Sequence, residues 1–200
     1  MATPGSHPRP TRAQLLSAAG REIPDRVAPR VPLLLCGINP GLWSGWTGNH
    51  FAGPGNRLWP ALEAAGVSDE RLGADDGSAL LALGVGITNM VARTTATAAE
   101  VTRDELRDGG VRLEGLLGRI APGALAVLGM GAYRVAFDDP GAALGRQPHD
   151  RAGVPVWLLP NPSGLQARYG VDVIGRLLAD AYAAGRARRP GWELSGPPPR

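Results

Sequence analysis

Four short apolar-rich runs punctuate the chain: Pro32–Cys36, Gly86–Val91, Ala124–Leu128 and Val154–Leu159. Each is too short for a helix and is bounded by glycine or proline, so each reads as a buried strand. Between them the apolar period changes. Leu58, Trp59, Leu62 and Ala65 recur at helical spacing, behind Asn56 as a capping residue and ahead of Gly66 as a stop. Asp69–Leu83 is a further helical stretch. Thr102-Arg103-Asp104-Glu105 has the form of a capping box and opens a helix to Ile120, whose core face is Leu106, Leu113, Leu116, Leu117 and Ile120. Gly109-Gly110 inside that helix runs against propensity. Short helices are expected at Ala13–Ala19 and Gly131–Phe137, and a last one at Val171–Ala184. Strands alternating with helices define an α/β chain, a three-layer α/β/α arrangement around a short, mostly parallel central sheet. Gly37–Gly55 is expected to be one long loop, a length at which loops tend to be functional. Residues 1–21 are expected to be a flexible extension, 22–184 the folded domain, and 185–200, with Arg186, Arg188, Arg189 and a Pro197–Pro199 run, a disordered basic tail.

Composition narrows the classes. The chain has 200 residues, 44% hydrophobic and 20% charged, which suits one soluble domain with a full core. One cysteine, Cys36, sits in an apolar strand, and three histidines offer no metal-binding spacing. No metal or organic cofactor is expected, and the cysteine usage fits a reducing, cytoplasmic setting. The net charge is +3, with a pI near 9.7 carried by arginine. That balance suits a few local phosphate contacts rather than histone-like coating of nucleic acid. No apolar run approaches the roughly 20 residues of a membrane span, and the N-terminus has no secretion-signal pattern. A dinucleotide-binding glycine motif, a phosphate-binding P-loop and a G-x-S-x-G nucleophile elbow are all absent from the sequence.

Two strings carry the chemistry. Gly37-Ile38-Asn39-Pro40-Gly41 follows the first strand, and Asn161-Pro162-Ser163-Gly164-Leu165 follows the last. Strand ends in a parallel sheet share one rim, where ligands bind. Pro40 biases Asn39 towards an extended conformation and leaves a rigid carboxamide at a strand end. The second string offers a leucine on a narrow Pro/Gly turn. An amide that orients water beside an apolar wedge suits an enzyme that turns a nucleotide out of DNA. His50 has the right chemistry for a general base, and also for a plain hydrogen-bonding loop residue.

Five blocks now occur in order: Gly37–Gly41, Phe51, Gly53-Pro54-Gly55-Asn56-Arg57-Leu58-Trp59, Gly86-Ile87-Thr88-Asn89-Met90-Val91 with Arg93-Thr94-Thr95, and Asn161–Leu165. From about Val31 to Tyr182 the chain resembles the mismatch-specific uracil/thymine DNA glycosylases, a branch of the uracil-DNA glycosylase superfamily. The resemblance implies that fold, and a monofunctional hydrolase that cuts the N-glycosidic bond of uracil in mispaired double-stranded DNA during base excision repair. It implies that Asn39 positions water, that the Ile38 backbone and the Asn89 amide hold the flipped base, and that Phe51 stacks on it. Ser44 and His50 are expected beside the base. For Ser44 two roles stay open, a hydrogen bond to the base or a limit on room for a 5-methyl group. Leu165 is expected as the wedge. Asn161 and Gln166 are expected to read the widowed base, Ser163 and Arg168 to meet phosphate, and Pro162 and Gly164 to keep the loop narrow. No lysine stands at Asn39, so no Schiff-base step is expected. Partners are expected to be DNA with G:U or related mispairs, with the protein a monomer off the membrane. Two alternatives stay open: a different lesion preference (hypoxanthine or etheno adducts), and a mispair-binding module without turnover. Trp43 and Trp46 are bulkier than the family resemblance leads one to expect.

Overall fold

The computed structural model describes residues 9–164 and 168–193. Five strands form one sheet: β1 (Leu33–Gly37), β2 (Val85–Asn89), β3 (Ala124–Leu128), β4 (Gly145–Arg146) and β5 (Val156–Leu159), in the order β2-β1-β3-β5-β4. All pairings are parallel except that of β4 with β5. The helices are α1 (Arg12–Leu16), α2 (Leu42–Thr47), α3 (Leu58–Ala64), α4 (Gly77–Ala82), α5 (Arg103–Ile120), α6 (Met130–Ala136) and α7 (Val171–Arg188).

Alternation along the strands builds two cores. Leu34, Cys36, Leu125, Val127, Val156 and Leu158 face a layer with Leu113, Leu117 and Tyr133 from α5 and α6. Leu33, Leu35, Ala126, Leu128 and Leu159 face the opposite layer, with Leu58, Leu62, Leu80, Ile174 and Leu178 from α3, α4 and α7. Both faces of β1 are covered, which is why its sequence is a continuous apolar run. The three-layer α/β/α architecture is therefore present. Burial pushes the Cys36 thiol up to about 12, so it packs as a small apolar side chain.

The structure changes several boundaries. Gly37–Gly55 is not one loop: α2 interrupts it, ended by Gly48 in the left-handed region at φ 75°. The segment expected as a helix from Asp69 is a 3₁₀ turn, Ala74–Asp76, followed by α4. Strand β4 has two residues and no apolar alternation, so nothing in the sequence announced it; Arg146 lies 5.1 Å over the Trp157 ring there. The last helix continues past Ala184 to Arg188, and Trp192 Nε1 donates to Pro29 O at 3.1 Å. Near the other end Ala18 is buried and Gly20 N donates to Thr94 O.

Gly109-Gly110 acquires a reason. A Cβ on Gly109 would lie 2.5 Å from Met90 O, and one on Gly110 would lie 2.8 Å from Ala136 O. Helix α5 presses its backbone onto the chain just past β2 and onto the end of α6, so space outweighs propensity. Gly109→Ala is expected to destabilise the fold by about 1–3 kcal/mol despite alanine's better helix propensity. A urea titration measures this, and an unchanged midpoint would refute the packing argument.

Candidate active site

The carboxyl ends of β1, β2, β3 and β5 lie along one rim. Gly37 pairs with Asn89 in register, and Leu128 pairs with Leu159. Asn39 follows β1 and Asn161 follows β5, with β3 between them. Two strand spacings of roughly 4.8 Å put these stretches about 10 Å apart.

Asn39 is held in one orientation. Its Nδ2 donates to Thr95 Oγ1 at 2.7 Å, Arg93 O at 3.1 Å and Pro40 O at 3.2 Å. Thr95 Oγ1 in turn donates to Thr97 O at 2.7 Å, so the hydroxyl proton is spent and its oxygen can only accept from Asn39. No described residue donates to Asn39 Oδ1, and the side chain is half-buried at the rim. The amide thus presents a single fixed acceptor. The Arg93–Thr95 stretch is anchored from α5: Arg93 bridges to Glu105, whose carboxylate also closes the capping box on Thr102. The Arg93 guanidinium, with the Thr102 hydrogen bonds, pulls the Glu105 carboxyl down to about 2. Thr95 sits in a block already associated with the family, but its part in fixing Asn39 depends on a fold contact over 56 positions and has no local sequence signal.

Asn89 is fixed as well. His50 Nε2 donates to Pro24 O at 3.0 Å, which makes Nδ1 the acceptor for Asn89 Nδ2 at 3.1 Å. Asn89 is 4% exposed and His50 3%. Arg112 donates to the Asn89 carbonyl and bridges to Asp25, which accepts from Thr88 Oγ1 at 2.7 Å. His50 therefore touches the amide expected to hold the base, as a neutral ring. Burial, the largest cause, lowers its pKa from 6.5. The unfolded chain takes up this proton near pH 6.5, and the native protein does so only at lower pH. His50 thus contributes stability that is complete above about pH 6.5 and is lost as pH falls towards its folded value. The wild-type melting temperature is expected to fall faster between pH 6.5 and 5 than that of His50→Gln; parallel pH profiles would contradict this.

Phe51 and Asn89 meet over Gly37. A Cβ built on Gly37 would overlap Asn89 Oδ1 and lie 3.1 Å from Phe51 Cζ. Phe51 holds φ at 54°, a strained value for an aromatic residue. Trp59 Nε1 donates to its carbonyl at 3.1 Å, which helps to hold it there. Ser44 lies buried on α2, and its Oγ accepts from Ala52 N at 3.1 Å. The hydroxyl fastens the Phe51 turn. Ile38 gives its carbonyl to Val91 N and packs its side chain over Gly129. Trp43 and Trp46 stack edge to face on α2, 6.2 Å apart.

In the second string, Asn161 Oδ1 accepts from Ser163 N at 3.0 Å, so that amide is used inside the turn. Pro162 is buried, Gly164 and Arg168 are exposed, and Arg168 lies 5.5 Å over the Tyr169 ring. Leu165 and Gln166 lie outside the described residues.

A mostly parallel sheet between helical layers, with the carboxamides of Asn39, Asn89 and Asn161 at or just past its strand ends, defines an α/β protein. Residues 24–180 match the family model of the Uracil DNA glycosylase superfamily, and the chain belongs to that superfamily. Membership implies a DNA glycosylase, a DNA-binding hydrolase of DNA repair. Among the described residues no helix is long and apolar enough to cross a membrane.

Proposed function

We propose that the chain is a monofunctional glycosylase that removes uracil from mispaired double-stranded DNA, with residues 22–184 carrying the activity. The observation that supports this reading most is the fixed polarity of Asn39. With Nδ2 spent on three acceptors, Oδ1 accepts a hydrogen bond from water and aims its lone pair at the sugar carbon C1′ of an everted nucleotide. An amide has no useful basicity, so it orients the water rather than deprotonating it. The C1′–N1 bond breaks with its electron pair on the base, water adds to C1′, and the water proton passes to solvent. The barrier then falls mainly on stabilising the departing anion, which favours uracil and other electron-poor pyrimidines.

The amide of Asn89 suits that base. Its Nδ2 is turned towards His50, which leaves Oδ1 over Gly37. That polarity accepts from uracil N3–H, while the second Nδ2 proton is free to donate to O4. Cytosine presents the reverse pattern at these two positions. Phe51 stacks on the base, and the backbone at Ile38 contacts it. Ser44 acts on the base through the Phe51 turn it fastens. The loop Asn161–Gly164, with Arg168, engages the strand, and Leu165 fills the vacated stack.

The test is a panel of duplexes carrying uracil or thymine opposite guanine, uracil opposite adenine, hypoxanthine, and etheno adducts, scored for abasic sites by alkaline cleavage. Cleavage at uracil opposite guanine is expected. Cleavage on every duplex no greater than that of an Asn39→Ala control overturns the proposal.

A further inference from the structure

Arg57 lies on the short segment between the Phe51 turn and α3, and it reaches across to the 161–170 loop. Its Nη1 donates to Tyr169 O at 2.7 Å and its Nη2 to Ser163 O at 2.8 Å. Its backbone N donates to Pro162 O at 2.9 Å. The two side-chain acceptors stand on opposite stems of one loop, six positions apart in sequence. Gly164 also abuts this segment: a Cβ there would lie 3.1 Å from Gly55 O. One guanidinium therefore closes the loop at its base. The planar fork of arginine makes this possible, since two N–H groups in fixed relation set the distance between two carbonyls. Two residues on from Arg57, Trp59 at the start of α3 holds the Phe51 backbone carbonyl.

From this geometry we infer that Arg57 is a positioning residue that holds the two described flanks, 161–164 and 168–170, in place for opening duplex DNA, acting on base eversion rather than on bond cleavage. The inference rests on the glycosylase reading above and adds a residue to it. Holding these flanks in place before DNA arrives lowers the entropy spent on engagement. Its value is greatest where pairing and stacking must be broken, and least where the target base is already loosely held.

Hydrogen exchange on the full chain and single-turnover excision test the inference together. In Arg57→Ala, amide exchange across 160–170 is expected to accelerate roughly tenfold or more, with β1 and α5 unchanged. Excision of uracil opposite guanine is expected to slow roughly tenfold. That penalty is expected to shrink roughly threefold or more when the uracil faces an abasic site, where less stacking and pairing resists eversion. A purely structural role would lower both rates equally. Arg57→Lys keeps a charge and a long stem without the fork and is expected to fall between wild type and alanine; it carries both measurements if the alanine variant does not fold. Unchanged loop exchange in the variants, or equal penalties on the two duplexes, overturns the inference. A wild-type protein that excises nothing counts against the glycosylase reading alone, and the exchange measurement still decides the clamp.

Discussion

Asn39→Ala is expected to keep its fold and its affinity for mispaired DNA while losing excision by on the order of 10²- to 10⁴-fold, the usual range for a group that positions or activates a reacting water. The side chain is half-buried at the rim rather than packed in either core, so truncation opens no large cavity. It does release Thr95 Oγ1 and the Arg93 carbonyl from their partner. Each lost hydrogen bond costs about 1 kcal/mol of stability, so a modest drop in melting temperature accompanies the loss of activity. Single-turnover kinetics with saturating enzyme separate the step from product release. Asn39→Asp is the sharper variant. A carboxylate cannot donate to Thr95, whose own proton already goes to Thr97 O. It therefore faces three oxygens, Thr95 Oγ1, Arg93 O and Pro40 O, with no donor and is expected to rotate out. An alanine variant as fast as wild type would remove Asn39 from the chemistry.

Gly37→Ala is expected to cost activity by about 10²-fold, the scale associated with displacing a reacting group by roughly 1 Å. Gly37 lies within β1 and pairs with Asn89, and its backbone is open to any residue. The effect is one of space. The added methyl would fall on Asn89 Oδ1 and press on Phe51 Cζ at 3.1 Å. Asn89 cannot swing aside freely, because His50 holds its Nδ2 and Arg112 holds its carbonyl. Phe51 already carries backbone strain. Destabilisation of about 1–3 kcal/mol is expected alongside, as for overpacking elsewhere. Gly118→Ala is the control: a Cβ there meets nothing within 4 Å, so it is expected to leave both excision and melting temperature near wild type. Wild-type excision by Gly37→Ala would mean that the base does not occupy the Gly37–Phe51–Asn89 corner.

These residues differ in how visible they were beforehand. The apolar runs at Leu33–Cys36 and Ala124–Leu128 announce strands covered on both faces, and the Thr102–Glu105 box announces the start of α5; both signals are local. Asn39 was legible because Pro40 and the strand before it constrain its backbone. The polarity of its amide was not, because Thr95 and Arg93 meet it only after β1 and β2 pair. His50 illustrates the same limit. Its residue type permits a base, a ligand or a solvated ring, and only contact with Pro24 and Asn89 settles the neutral tautomer.

Helix α2 and strand β4 escaped the sequence for a related reason. Leu42–Thr47 is six residues long, too short to be stable on its own propensity. It forms where Gly45 lets it press against Thr94. Strand β4 exists because β5 offers an unpaired edge and Trp157 offers a face for Arg146. By itself the sequence determined what neighbouring residues decide: the strands, the long helices, the α/β class and the two strings at the strand ends. The tertiary structure alone decided which donors and acceptors are spent and which remain. Hydrogen-bond polarity at the site depends on partners brought together from distant positions, and it therefore exists only once the chain is folded.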